Sequence, residues 1–243
     1  MDYSFLQCGE GALTVHLGDG IDPAINRRVT ALQGAIDSAG LRGITDLIPA
    51  YADLTVCYDC TVISAKALQR QLRRLLDSLS VAGQDRRRVF RLPVCYGGDY
   101  GPDLDFVCRH SGLSAQEVIA LHSAPDYLIY MLGFLPGFAY LGGLDPRLHT
   151  PRLDSPRTCI PAGSVGIGGA QTGVYPLASP GGWQLLGRTP VSVFDRQRQE
   201  PILYRAGDLV HFVPISPAEY EDIARAVAAG TYTVQVEEVP VCD

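Results

Sequence analysis

The sequence predicts an α+β protein of two domains, on three observations. Residues 12–96 alternate strand-like and helix-like stretches in a legible order, whereas residues 133–214 are short apolar runs cut by Gly or Pro. The 243 residues, 47% hydrophobic and 19% charged, allow one large core or two modest ones and show no compositional sign of wholesale disorder. The expected division is 1–88 and 89–243, with limited proteolysis expected to cut near SVAGQDRR at 80–87.

The first domain opens with ALTVHL, residues 12–17, which alternates as a strand does. Asp22 and Pro23 then form an N-cap and first-turn pair. Ile25, Val29, Leu32 and Ile36 lie at spacings of four, three and four, the stripe of an amphipathic helix that ends near Gly40. Two strand-like runs, 43–50 and 51–59, meet near Pro49. A second helix follows Ser64, with Leu68, Leu72, Leu75, Leu76 and Leu79 on its core face and Arg70, Arg73 and Arg74 largely off it. RRVFRLPVCY, residues 87–96, offers another strand. Strand, helix, strand, strand, helix, strand is the order of the split βαβ, or ferredoxin-like, unit. Arg86, Arg87, Arg88 and Arg91 read as a solvated basic face.

Beyond residue 95 the pattern changes. A short helical piece follows Pro102, with Asp103 and Asp105 expected to cap it. Ser114 and Glu117 stand at capping-box spacing before a helix at about 115–122. YLIYMLGF, after Asp126, is a compact buried strand. Apolar runs at Ile160, 165–167, 183–186, 191–194, 202–204 and 209–213 would be strands of a β-barrel or sandwich. A last helix, SPAEYEDIARAVAAG, and a terminal strand, YTVQVEEV, complete the expected elements.

Composition narrows the function. A formal net charge of -6 argues against a broad electrostatic grip on nucleic acid or anionic lipid. No apolar run approaches the roughly 18 residues of a membrane span, and the N-terminal residues lack a basic start followed by an apolar block, so a cytoplasmic location is expected. Seven cysteines without framework spacing fit reduced thiols. Cys57 and Cys60 spell C-x-x-C, but strand alternation around them sends the two side chains to opposite faces, and no metal site is expected. The single lysine, Lys66, follows Ala65, which rules out a G-x-x-x-x-G-K-[ST] phosphate loop. GSVGIGG at 163–169 fails G-x-S-x-G because Ala162 holds the first glycine position, and fails G-x-G-x-x-G because Gln171 holds the last. The five histidines include no H-x-x-x-H pair.

The stretch GFLPGFAYLGGLDPRLHTPR, 133–152, joins Gly and Pro to aromatic groups that solvated linkers lack, and reads as ordered loops. Its glycines suit tight turns or close packing, and Phe134 and Phe138 are candidates for core, groove or partner contact. Arg157 and Arg188 lie beside Pro and Thr in segments with few carboxylates, which suits a two-pronged grip on a carboxylate or phosphate. The alternative is a structural ion pair or bonds to loop carbonyls. His122 is the candidate general acid or base, although a helix C-terminus also favours a charged histidine for structural reasons. Ser164, Gln171, Thr172 and Tyr175 offer neutral groups that can recognise an amide ring or satisfy turns.

Residues 121–190 resemble a known family. G-F-x-P-G-F-x-Y-L at 133–141, P-R at 151 and 156, P-A-G-S-V at 161, Q-T-G-x-Y-P at 171, S-P-G-G-W at 179 and G-R-T-P at 187 recur in the family of 5-oxoprolinase B subunits, also called allophanate hydrolase subunit 1 or the Kip-type sensor-kinase inhibitors. The resemblance implies a ferredoxin-like N-terminal domain followed by a cyclophilin-like β-barrel, and the length of 243 residues suggests a stand-alone subunit. It implies three possible jobs. One is ATP-dependent opening of 5-oxoproline, shared with the A and C subunits of a 5-oxoprolinase, the latter resembling allophanate hydrolase subunit 2. Another is half of a carboxyltransferase-like unit in urea or allophanate metabolism. The third is inhibition of a sensor histidine kinase. No cofactor is expected on this chain alone, with ATP and magnesium entering in the complex.

Overall fold

The computed structural model describes residues 3–79 and 86–240, and the chain forms two compact units, residues 1–85 and 86–243. Residues 80–85, most of the stretch where proteolysis is expected, lie outside the described residues.

The first unit is built from β1 (Ser4–Cys8), β2 (Ala12–His16), α1 (Pro23–Ala39), β3 (Ile44–Pro49), β4 (Asp53–Tyr58) and α2 (Ala65–Asp77). Asp22 caps α1, its Oδ1 accepting the Ala24 amide at 2.6 Å, and Gly40 ends the helix in the left-handed region at φ 55°. Ser64 caps α2 through the Ala67 amide. Val29, Leu32 and Ile36 of α1 and Leu68, Leu72 and Leu76 of α2 pack in one core with Leu13, Val15, Leu54 and Val56 of the sheet. Each such leucine, fully withdrawn from water, contributes roughly 2 kcal/mol of transfer free energy.

The sheet is antiparallel in the order β1-β2-β4-β3, which is the strand order of a split βαβ unit with one difference. The run after α2 does not supply its fourth strand. Ser4–Cys8 holds that edge instead, zipped to β2 from Ser4 opposite His16 to Cys8 opposite Ala12. Sequence pattern misses this strand because SFLQC is short and four of its five residues are exposed, so it has no buried-face alternation to find.

The displaced run is β5 (Arg86–Tyr96), the longest strand of the second unit. There follow α3 (Leu104–Ser111), α4 (Ala115–Ser123), β6 (Tyr127–Leu132), β7 (Ala139–Gly142), β8 (Arg157–Ile160), β9 (Ser164–Gly168), β10 (Gln171–Val174), β11 (Ser179–Gly181), β12 (Gln184–Arg188), β13 (Leu209–Ile215), α5 (Pro217–Ala228) and β14 (Gln235–Pro240). Strands β12-β9-β10-β7-β6-β13-β5 form a continuous sheet, and pairing of Gly187 with Tyr96 and of Arg188 with Cys95 closes it into a barrel. A barrel, not a sandwich, is therefore the outcome. Strand β14 lies along the first half of β5, and β8 pairs with β11 as a separate ribbon.

Three local expectations change. Residues 191–194 and 202–204 are not strands but an irregular hairpin, held by a bridge between Phe194 and Ile202 and by the Leu203 amide on the Val193 carbonyl at 3.0 Å. Strands β7, β10 and β11 appear where Gly-rich sequence hid them. The arginines of β5 are not a bare basic face: Arg88 binds both carboxylate oxygens of Asp208 at 3.0 and 2.6 Å, and Arg91 binds both of Glu237 at 2.7 Å.

Candidate functional site

The hairpin from β6 to β7 carries the Gly- and Pro-rich segment. The Leu135 amide donates to the Gly133 carbonyl at 2.7 Å, closing a three-residue turn about Phe134 at φ 64°. This is the γ-turn with positive φ, a rare and strained form. Phe134 is the one non-glycine residue with positive φ among the described residues, and it is 64% exposed. Phe138 is 3% exposed, and its ring meets those of Tyr140, Tyr175 and Trp183 at centroid distances of 5.2, 5.5 and 5.5 Å. The two phenylalanines stand edge to face at 5.5 Å, one in the core and one in solvent. Arg152 lies over the Trp183 ring at 5.8 Å.

The two arginines separate. Arg157 Nη2 donates to Asp103 Oδ1 at 2.7 Å and Nη1 to the Trp183 carbonyl at 3.3 Å. Asp103 Oδ2 accepts the Leu185 amide at 2.7 Å, so this carboxylate ties β8 to β12 and does not cap α3 as expected. Arg188, at the end of β12, uses Nε on the Ala162 carbonyl at 3.0 Å and lines a cleft of about 230 Å³ with Ala162, Gly163, Pro190, Val193 and Tyr220 among its walls. A larger hollow of about 410 Å³ at the end of α1 and along β3 is lined by Gln33, Asp37, Thr45 and Asp46 among others and holds none of the expected site residues.

His122 lies fully buried in the last turn of α4. Thr172 donates its hydroxyl to the Gly166 carbonyl at 3.1 Å, so the 2.7 Å contact between Thr172 Oγ1 and His122 Nε2 requires a proton on Nε2. We assign the Nε2–H tautomer on that ground, with Nδ1 accepting from the Tyr96 hydroxyl at 2.8 Å. The ring stacks on Phe212 at 4.8 Å, and desolvation lowers its pKa to about 3. The charged form suggested by its helix position is thus not the one the core holds, and the ring has no surface on which to meet a substrate.

Ser164, 1% exposed on β9, stands opposite Arg188 of β12 in register. Gln171 begins β10 opposite Gly168, half-buried. Tyr175, 2% exposed, belongs with Phe138 and Trp183, and burial raises its phenol above the ordinary value. The expected set therefore divides into an aromatic cluster, an ion-paired Arg157, a sealed His122 and the Arg188 cleft. Sequence reading missed Tyr220, which reaches that cleft from α5; nothing marks it except a position four before Ala224, which lines the same cleft. Among the described residues no group of three or more His, Cys, Asp or Glu is placed to hold a metal ion, and no helix is long and apolar enough to cross a membrane.

Comparison with known proteins adds the lineage. The model of the carboxyltransferase domain, subdomain C and D, matches residues 3–204. The chain is 42% identical to the 5-oxoprolinase B subunit of Bacillus subtilis (strain 168), over 90% of this chain and 95% of that protein. It is 46% identical to the 5-oxoprolinase B subunit of Escherichia coli O157:H7, over 85% and 93%. The crystal structure of TTHA0988 superposes with a TM-score of 0.75 at 41% identity, covering 84% of this chain and 40% of that longer one. The chain belongs to the carboxyltransferase domain, subdomain C and D, family, and within it to the family of the 5-oxoprolinase B subunits.

Proposed function

We propose that this chain is the B subunit of an ATP-dependent 5-oxoprolinase, which together with the A and C subunits converts 5-oxo-L-proline, ATP and water to L-glutamate, ADP and phosphate. The observation that carries this reading is 42% identity across 95% of the Bacillus subtilis protein of that name. The chemistry supports a division of labour, because an unstrained lactam resists attack by water and phosphorylation of its carbonyl oxygen activates it for ring opening. With one lysine and no phosphate loop, this chain leaves ATP and its magnesium to another subunit or to a shared phosphate site. The sealed His122 also leaves proton transfer to groups elsewhere.

The part of this chain is then to hold ligand and complete a site shared with the C subunit in the cytoplasm, and on its own it is inactive. Phe134, held out on a strained turn, is the group we assign to contact with the other subunits. Affinity purification of the tagged chain from its own cells tests the assembly. Recovery of the C subunit in stoichiometric amount supports the reading, whereas a sensor histidine kinase in its place would move the function to kinase inhibition.

A further inference from the structure

We propose that the Arg188 cleft is a binding site for one small organic carboxylate, gripped by the terminal nitrogens of Arg188 and the hydroxyl of Tyr220. The polar groups around the cleft are mostly engaged already. Ser192 spends its hydroxyl on the Phe194 carbonyl at 2.6 Å, and the Thr189 hydroxyl oxygen accepts the Val191 amide at 3.2 Å. Arg188 is fixed along one edge by the bond from Nε to the Ala162 carbonyl, and Nη1 and Nη2 have no hydrogen-bond partner among the described residues. Glu221, the carboxylate beside Tyr220 in sequence, accepts instead from the Tyr100 hydroxyl at 3.0 Å. An anchored guanidinium with both terminal nitrogens left over is the geometry that takes a carboxylate by paired hydrogen bonds.

The walls are set by backbone. Gly163 at φ 81° sits so close to β12 that a Cβ there would lie 2.4 Å from the Thr189 carbonyl oxygen, and the Thr189 amide donates to the Gly163 carbonyl at 2.9 Å. The Pro161–Gly163 turn and the strand end are therefore locked together under Arg188. On the other side, Tyr220 and Ala224 share a face of α5, and the Tyr220 ring packs against Tyr100 at 4.5 Å. At about 230 Å³ the cleft lies below the roughly 300–1,000 Å³ typical of pockets for drug-sized ligands, which suits a small cyclic acid. One cation, one phenol and walls of Pro176, Pro190, Val191 and Val193 suit a single carboxylate on an apolar ring. Resting on the function proposed above, the acid is 5-oxo-L-proline.

Calorimetric titration of the full chain tests this with two probes, 5-oxo-L-proline and 2-pyrrolidinone, which is the same lactam without the carboxylate. The expected result is saturable binding of the acid, at least tenfold weaker binding of the lactam, at least a tenfold loss in Arg188→Gln, and loss of binding in Ala224→Trp, which fills the cleft from α5. Unfolding temperatures are measured beside each titration, and the Ala224→Trp result decides if Arg188→Gln fails to fold. Absence of saturable binding, or equal binding by either folded variant, overturns the site. The functional reading fails separately: if the mixture with the A and C subunits releases no glutamate while the chain still binds the acid through Arg188, the cleft stands and the 5-oxoprolinase assignment falls.

Discussion

Asp103 accepts Arg157 Nη2 at 2.7 Å on one carboxylate oxygen and the Leu185 amide at 2.7 Å on the other, so the arginine that reads as a ligand group is held within the protein. Arg188, nearly its twin in sequence context, makes one bond to a loop carbonyl and faces a cleft. The two should therefore part company on substitution. Arg157→Ala leaves a mostly buried carboxylate without its cation and is expected to cost about 2 kcal/mol, read as a lower unfolding temperature. Arg188→Ala is expected to leave the unfolding temperature nearly unchanged and to reduce reconstituted activity. Equal stability losses at both positions would contradict this division.

The burial of His122 predicts a pH dependence whose sign is fixed. Its folded pKa, about 3, lies below the ordinary 6.5, so between those values the unfolded chain binds a proton that the folded chain refuses. Stability from this group is complete above pH 6.5 and is lost as pH falls toward 3, at roughly 1.4 kcal/mol per pH unit. Denaturant unfolding of the protein and of His122→Gln across pH 4–7 measures it. The gap in stability between the two should shrink as pH falls; a constant gap would mean that His122 is charged or solvated in the fold.

Phe134 and Phe138 touch edge to face but serve opposite ends, and substitution should reveal it. Phe138→Ala removes a ring packed by Tyr140, Tyr175 and Trp183 and is expected to cost about 3–5 kcal/mol. Phe134→Gly removes an exposed ring and relieves positive-φ strain of about 1–3 kcal/mol, so the unfolding temperature should hold or rise. Its expected defect is weaker association with the other subunits, measured by co-elution in gel filtration. Full association of Phe134→Gly would remove Phe134 from the interface.

Legibility followed the range of the interactions. The caps at Asp22, Ser64 and Ser114 are local devices, and the structure uses each of them where the sequence places it. The leucine stripe of α2 likewise survives because helical period and burial coincide. Strand pairing is non-local, and there local pattern misleads: 87–96 reads as the end of the first sheet, yet it completes a barrel with strands more than a hundred residues away, such as β13. Strands β7 and β10 are Gly-bearing and short, so β propensity is silent about them. At the site, residue type alone does not tell Arg157 from Arg188, because the deciding partner, Asp103, lies 54 residues from Arg157. Tyr220 is invisible for the same reason, since only the tertiary fold brings α5 over the end of β12.

The most direct test is glutamate release from 5-oxo-L-proline, ATP and magnesium, measured with this chain alone, with the A and C subunits alone, and with all three. Activity confined to the three-component mixture is the expected result. No glutamate from three folded subunits, or full activity without this chain, would contradict its assignment as the B subunit of a 5-oxoprolinase.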